Sequence, residues 1–113
     1  MLIPANAVIP DEKITRYLLV PKPKDDKSKF LAQAEFTQEN PETLKAAIRL
    51  LAGYVEAVED RSNEYGVFYR VEGELIGING LTLSVVTIWL QRAIDGSFQF
   101  ITLMPKKEYK SEL

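Results

Sequence analysis

The sequence predicts an α+β fold, with two to three N-terminal helices packed on one face of a four-stranded antiparallel meander sheet. Three observations support it. Apolar residues recur at helical spacing before Gly53 and at alternating positions after it. The dipeptides Asn79-Gly80 and Asp95-Gly96 are strong signals for tight turns. Because such short turns join antiparallel strands, the second half of the chain is expected to form a meander.

The first two helices are predicted to be short. Asp11 is a suitable N-cap for a first helix, which reaches about Val20 before Pro21 ends it. A second helix is expected to begin at Asp25 or Asp26. Its buried stripe would consist of apolar residues at helical spacing, namely Phe30, Leu31 and Ala34.

The third helix has the clearest limits. Asn40 is a good N-cap, Pro41 occupies the first helical position, and Glu42 lies in the first turn. Gly53 is placed to end the helix in the left-handed conformation. The apolar residues in between share one face, and they are Leu44, Ala47, Ile48 and Leu51.

Four strands are expected after the third helix. The first covers residues 54–58, and the turn formers at 60–66 separate it from an alternating strand at 68–75. Residues 81–90 are nearly all apolar or β-branched, which is typical of a central strand covered on both faces. The last strand covers residues 98–103.

The composition excludes several kinds of site. The 113 residues contain no cysteine and no histidine, so a disulfide, a zinc-thiolate site and a histidine base are all excluded. The net charge is −2, and no apolar run approaches the roughly 20 residues that span a bilayer. We expect one cytoplasmic domain over residues 1–113, with an extended arm at 1–10, a flexible tail at 106–113, and no metal, cofactor or membrane contact.

The lysines around the second helix form the one local excess of positive charge. They are Lys22, Lys24, Lys27 and Lys29, and Asp25 and Asp26 partly offset them. One interpretation is a set of solvated lysines around a helix start. The other is a phosphate-contacting surface, in which Lys27 or Lys29 projects toward the sheet.

Polar and aromatic residues in the strands also allow two interpretations. Trp89 belongs to the core, or stacks on a base if one of its faces is open. Thr87 and Thr102, on neighbouring strands, bond to each other or to the backbone, or hold a substrate phosphate. Tyr69 and Arg70 are adjacent and therefore face opposite sides of the sheet. At most one of them can share a site with Trp89.

Several different short motifs are spread over almost the whole chain. They are Ile3–Ile9, Lys27 with Phe30, Asn40-Pro41, Tyr69 with Val71-Glu72-Gly73, Gly77–Gly80, Val85–Trp89, and Thr102 with Pro105. Together they resemble an uncharacterised bacterial family that is abundant in cyanobacteria and also occurs at the C-terminus of larger toxin-like proteins. One departure is Glu35, because members of that family usually carry glycine just before the position of Phe36.

The resemblance implies the toxin half of a toxin–antitoxin pair, with a cognate antitoxin protein as partner. Helices followed by a four-stranded antiparallel sheet are also the layout of the barnase–EndoU–colicin–RelE nuclease superfold. The implied activity is that of a metal-independent ribonuclease, in which the 2′-hydroxyl of RNA is the nucleophile. Without histidine, the catalytic candidates are Lys27, Arg70, Tyr69, Thr87 and Thr102, and the candidates for substrate contact are Lys24, Lys29 and Trp89.

The alternative is a non-catalytic interaction domain, either a homodimer or the partner of a small neighbouring protein. Its interface would be an edge strand or the free sheet face. The mild acidity of the chain favours this alternative, since RNA binding normally uses a positive surface. A ribonuclease would bring Lys27, Arg70 and Trp89 to one open cleft. An enclosed Trp89 and a solvated Lys27 would favour the interaction domain.

Overall fold

Three described helical segments precede a four-stranded antiparallel sheet in the chain, which confirms the predicted α+β fold. A computed structural model describes residues 1–23 and 27–109. The strands follow one another in the order β1-β2-β3-β4, and every neighbouring pair is antiparallel. They are β1 (Val58–Asn63), β2 (Gly66–Ile76), β3 (Thr82–Arg92) and β4 (Phe98–Pro105).

The first helical segment is a π-helix over Lys13–Leu18. Asp11 was predicted to cap it, but Glu12 occupies the N-cap position and no side chain caps the helix. The Asp11 carboxylate instead lies 2.8 Å from Lys45 Nζ. Ile14 and Leu18 are buried, so this segment contributes two apolar side chains to the core.

The second helical segment is α1, over Lys27–Ala32. Its predicted start at Asp25 or Asp26 lies outside the described residues. The helix ends in a Schellman motif, in which Phe36 N donates to Leu31 O (3.1 Å) and Glu35 N donates to Ala32 O (2.9 Å). Glu35 has φ +64°, so it adopts the left-handed conformation in which glycine is favoured.

The third helical segment is α2, over Pro41–Tyr54, with Asn40 at the N-cap position. Asn40 makes no side-chain cap, and its Oδ1 accepts a hydrogen bond from Thr37 N at 2.8 Å. The prediction that Gly53 ends the helix is wrong. Gly53 is not among the residues with positive φ, and the helix runs on to Tyr54 before Val55 turns to an extended conformation.

The first strand lies further along the chain than predicted. It occupies Val58–Asn63, where the turn formers of residues 60–66 had indicated a loop. Nearly all of its side chains are exposed, so hydrophobic alternation gave no signal for it. Its backbone pairs with β2 from Val58 opposite Arg70 to Asn63 opposite Gly66. Backbone pairing at a sheet edge therefore outweighs the turn propensity of these residues.

The two predicted tight turns are present. At the first, Gly80 N donates to Gly77 O (3.0 Å), and Gly80 alone takes a positive φ, of 82°. At the second, Gly96 has φ +73° and donates to Arg92 O at 2.8 Å. Residues without a β-carbon supply the conformation that each turn needs.

The helices pack on one face of the sheet, called here the inner face, and the core lies between the two layers. The centre of β3 is buried on both faces, as predicted for residues 81–90. Residues 1–10 also join the core, since Ile3, Ala7 and Ile9 are buried. Val8 N donates to Phe98 O (2.9 Å), so this segment lies along the outer edge of β4.

The chain continues beyond β4 into a 3-10 helix over Lys106–Glu108. The Tyr109 hydroxyl then donates to Asp60 Oδ1 at 2.7 Å. Because Asp60 belongs to β1, at the opposite edge of the sheet from β4, this contact takes the segment across the face that the helices leave free. Residues 110–113 of the predicted tail lie outside the described residues.

Candidate functional site

Arg70 and Thr102 lie in one row across the free face of the sheet. Arg70 on β2 is opposite Ile88 on β3, and Ile88 is opposite Thr102 on β4. Neighbouring strands are about 4.8 Å apart, so the backbones of Arg70 and Thr102 are roughly 10 Å apart. A phosphate group of a ligand is small enough to lie between these two side chains, above Ile88.

Lys27 reaches this row from the first position of α1. Its Nζ donates a hydrogen bond to Thr102 Oγ1 at 3.1 Å, in a half-buried environment. Lys27 therefore does not point into bulk water. The predicted direction, from the second helix toward the sheet, agrees with this contact.

Tyr17 gathers three lysine side chains at the same edge. Lys22 Nζ lies 3.6 Å from the centroid of the Tyr17 ring, Lys27 Nζ lies 5.3 Å away, and Lys13 Nζ lies 6.0 Å away. Each ammonium is attracted to the ring quadrupole. We call this group of four residues the Tyr17 lysine cluster.

Arg70 is held by carboxylates on the free face. Its Nη1 lies 3.5 Å from Asp60 Oδ1, and its Nε lies 3.5 Å from Glu72 Oε1. The same Asp60 oxygen accepts the Tyr109 hydroxyl. Burial and then the hydrogen bond to Asp60 raise the pKa of Tyr109, so this phenol stays protonated and keeps donating at neutral pH.

A shallow cavity of about 250 Å³ lies on the free face and is lined by Ile88 and Thr102 of this row. Its lining combines polar residues from β1, β4 and the C-terminal segment with apolar residues of the central strands, and includes Asp60, Phe68, Ile88, Thr102, Met104 and Tyr109. The cavity thus has an apolar floor with polar groups at both ends, an arrangement that suits an extended ligand carrying charge.

Thr87 and Trp89 lie on the inner face, in the core, and neither can take the substrate role predicted for it. Trp89 is 1% exposed, and its Nε1 donates to Thr87 Oγ1 at 2.9 Å. Thr87 in turn donates to Val71 O at 3.2 Å. Stacking on a base would need an open face, which Trp89 lacks. The condition stated for a ribonuclease, that Lys27, Arg70 and Trp89 meet in one open cleft, is therefore not met, because Trp89 is enclosed.

Thr87 and Thr102 are not cross-strand partners either. Thr87 is opposite Leu103, and Thr102 is opposite Ile88, because a bulge at Ile101 shifts the register of β4. Their hydroxyls consequently face opposite sides of the sheet.

The remaining predicted residues lie apart from the free face. Tyr69 is half-buried on the inner face, with its ring centroid 5.8 Å from that of Phe98. As predicted, Tyr69 and Arg70 face opposite sides. Lys29 is exposed on α1, and residues two apart in a helix do not share a face, so it points away from Lys27. Lys24 lies outside the described residues.

Sequence reasoning missed three members of this region. Tyr17 was not among the predicted site residues, and it is 39% exposed. Asp60 was read as a turn former and Tyr109 as part of a tail. The one sequence signal was the set of lysines near Tyr17, since Lys13 precedes it by four residues. Within residues 1–23 and 27–109, no cluster of carboxylates could hold a metal ion.

The described residues thus define an α+β domain whose free sheet face carries cations, two carboxylates and hydroxyl groups. The chain belongs to the family described as a domain of unknown function, DUF6883, whose profile matches residues 4–107.

A solved structure shares this fold. It is a chain of the "Contact-dependent growth inhibition toxin - immunity protein complex from Klebsiella pneumoniae 342", with a TM-score of 0.63 and 21% sequence identity. The similarity covers 90% of this chain and 95% of that chain. At this identity it establishes the fold alone. No curated protein is significantly similar in sequence. No helix in the described parts of the chain is long and apolar enough to cross a membrane.

Proposed function

We propose that the protein is the toxin of a toxin–antitoxin pair and acts as a metal-independent endoribonuclease. The observation that carries the proposal is the hydrogen bond from Lys27 to Thr102, in the same cross-strand row as Arg70. Lys27 and Arg70 are thus two cations beside one row of the free face, and Thr102 of that row lines the shallow cavity. A negatively charged phosphodiester is the group that such a pair stabilises.

The chemistry divides among residues of the free face. The 2′-hydroxyl of RNA attacks the adjacent phosphorus as its proton passes to Asp60, and a 2′,3′-cyclic phosphate forms. The bond from phosphorus to the 5′-oxygen breaks, and the Lys27 ammonium protonates the leaving oxygen. Arg70 stabilises the negative charge of the crowded phosphate, and Thr102 orients Lys27. Tyr69 and Thr87, on the inner face, take no part.

The structural neighbour supports a role in a toxin–antitoxin pair. That neighbour belongs to a complex of a growth inhibition toxin and an immunity protein, and the similarity covers 90% of this chain. A cognate inhibitory protein is accordingly proposed as the partner here. The ribonuclease part is supported by the arrangement of Lys27, Thr102, Arg70 and Asp60.

The proposal is tested by incubating the purified protein with total RNA in the presence of EDTA. We expect cleavage products that end in a 2′,3′-cyclic phosphate, and growth arrest when the protein is expressed. Lys27→Gln and Arg70→Gln should each lower the cleavage rate by about 100-fold or more. Arg92→Gln is a matched control, because Arg92 pairs with Asp95 near a turn and does not belong to the row of Arg70 and Thr102.

Failure of clean wild-type protein to cleave RNA or to arrest growth would remove the ribonuclease proposal. Equal activity of Lys27→Gln and Arg92→Gln would locate the chemistry elsewhere. The variants should unfold at similar urea concentrations, so that a loss of rate reflects the site.

A second candidate function is a non-catalytic homodimeric interaction domain. It is favoured by an apolar cavity of about 420 Å³, around which Leu50, Tyr54 and Ile76 are 54%, 79% and 60% exposed. Sedimentation equilibrium should then give a dimer that Tyr54→Ser weakens. A monomer at 100 μM or above would argue against this candidate.

A further inference from the structure

We propose that the Tyr17 lysine cluster binds phosphates of single-stranded RNA that flank the phosphate held between Lys27 and Arg70. This inference rests on the proposed function, because it extends the same substrate beyond the edge of β4. The additional residues are Lys13, Tyr17 and Lys22, none of which takes part in the chemistry.

The cluster concentrates positive charge around one aromatic ring. The three ammonium groups all lie within 6.0 Å of one ring centroid, so no two of them are more than about 12 Å apart, a distance close to the Debye length. In the described residues, none of these three lysines forms a salt bridge, and nearby Asp11 pairs with Lys45. An anion bound here would relieve the mutual repulsion.

Tyr17 is the residue that makes this arrangement persist. The π-helix directs Ile14 and Leu18 into the core and leaves the Tyr17 ring at the surface, where its negatively polarised face attracts ammonium groups. Such contacts stabilise an exposed cation near the ring. The lysines are therefore preorganised, which lowers the entropic cost of binding a ligand.

The position of the cluster favours a polynucleotide over an isolated anion. Lys27 belongs both to the cluster and to the contact with Thr102, and Thr102 shares its row with Arg70. The cations therefore form a continuous track from Tyr17 at the sheet edge to the middle of the free face. A ligand with regularly repeated negative charges can occupy the whole track, whereas a single phosphate fills one part of it.

The test measures binding without cleavage. A fluorescent 12-nucleotide RNA with 2′-O-methyl groups at every position lacks the nucleophile and cannot be cut. Its dissociation constant is measured by anisotropy from 50 to 300 mM KCl. Lys13→Gln and Lys22→Gln should each weaken binding by roughly fivefold at 100 mM, and each should reduce the slope of log K against log salt by about 0.7.

Two further variants test whether the affinity for RNA depends on the cluster itself or only on the total positive charge of the protein. Arg16→Gln removes one positive charge from the same π-helix, but no contact joins Arg16 to the Tyr17 ring, so it should change affinity less than twofold. Tyr17→Leu keeps an apolar side chain and removes the ring's attraction for cations. It should weaken binding without changing the urea midpoint.

The outcomes distinguish this inference from the proposed function. Binding that depends on Lys13 and Lys22, from a protein that cleaves no RNA, would support the cluster and overturn the ribonuclease. Cleavage by a protein whose Lys13→Gln and Lys22→Gln variants bind like Arg16→Gln would overturn the cluster alone. Absence of oligonucleotide binding, or lysine-dependent binding of polyglutamate instead, would also overturn it, the latter in favour of an acidic protein partner.

Discussion

Lys27 Nζ donates a 3.1 Å hydrogen bond to Thr102 Oγ1 and thereby joins the first turn of α1 to the edge strand of the sheet. Thr102→Val removes the acceptor while keeping the shape of the side chain. We expect RNA cleavage to fall by about tenfold or more, because Lys27 loses the group that orients it. The free energy of unfolding should fall by about 1 kcal/mol or less.

Thr102→Ser is the control for this prediction. It retains the hydroxyl, so its cleavage rate should stay within about threefold of wild type. Single-turnover rates and urea unfolding of both variants check the two expectations. Equal rates for Thr102→Val and Thr102→Ser would show that the hydroxyl has no role in cleavage.

Thr87→Val should lower the stability of the protein and leave its RNA cleavage rate unchanged. The change leaves the buried indole N–H of Trp89 without its acceptor, which costs about 1–3 kcal/mol. Because Thr87 lies on the inner face, the cleavage rate of the folded variant should equal that of wild type. Urea unfolding measures the loss of stability, and RNA cleavage at a low urea concentration measures the rate of the folded variant. A large loss of cleavage with unchanged stability would place Thr87 in the site.

The contrast between Thr87 and Thr102 shows how far the sequence predicts the site. Alternation along β2 correctly assigned Tyr69 and Arg70 to opposite faces, because the period of a strand is fixed. The faces of Thr87 and Thr102 depend instead on the register between β3 and β4. The bulge at Ile101 sets that register, and no sequence pattern indicated it.

The fold was more predictable than the site, because local sequence signals indicate the fold whereas contacts between distant parts of the chain form the site. The change of period near Gly53 and the turns at Gly80 and Gly96 are local signals, and they fixed the helices, the hairpins and their direction. The strand β1 gave no such signal, since its exposed polar residues are held by pairing with β2. The contact between Tyr109 and Asp60 joins distant parts of the chain, and no local sequence pattern indicated it.

Tyr109→Phe should reveal a pH-dependent contribution of that contact. The pKa of Tyr109 is raised in the folded protein, mainly by burial and by the bond to Asp60. The folded state therefore holds the phenol proton more tightly than the unfolded state does. The stabilisation is fully present below pH ~10, the ordinary tyrosine pKa, and is lost as pH rises through the higher folded value.

The measurement is urea unfolding of wild type and Tyr109→Phe from pH 7 to pH 11. At pH 7 the variant should be less stable by about 0.5–1.5 kcal/mol, and this difference should shrink above pH ~10. Other tyrosines and lysines titrate in both proteins, so the difference isolates Tyr109. A difference that stays constant over the whole range would contradict the raised pKa.

Glu35→Gly should stabilise the protein. Glu35 has φ +64° at the position of the Schellman motif where glycine is favoured, and its side chain makes this conformation costly. Glycine removes that cost but adds freedom to the unfolded chain, so the expected net gain is about 0.5–1 kcal/mol. The hydrogen bond from Asn40 Nδ2 is kept, because it ends on the backbone oxygen of residue 35.

Glu35→Ala is the matched control, since it removes the carboxylate but keeps the β-carbon, and it should give little or no gain. Urea unfolding of the three proteins decides the matter, and equal gains from Ala and Gly would attribute the effect to the carboxylate rather than to the backbone conformation.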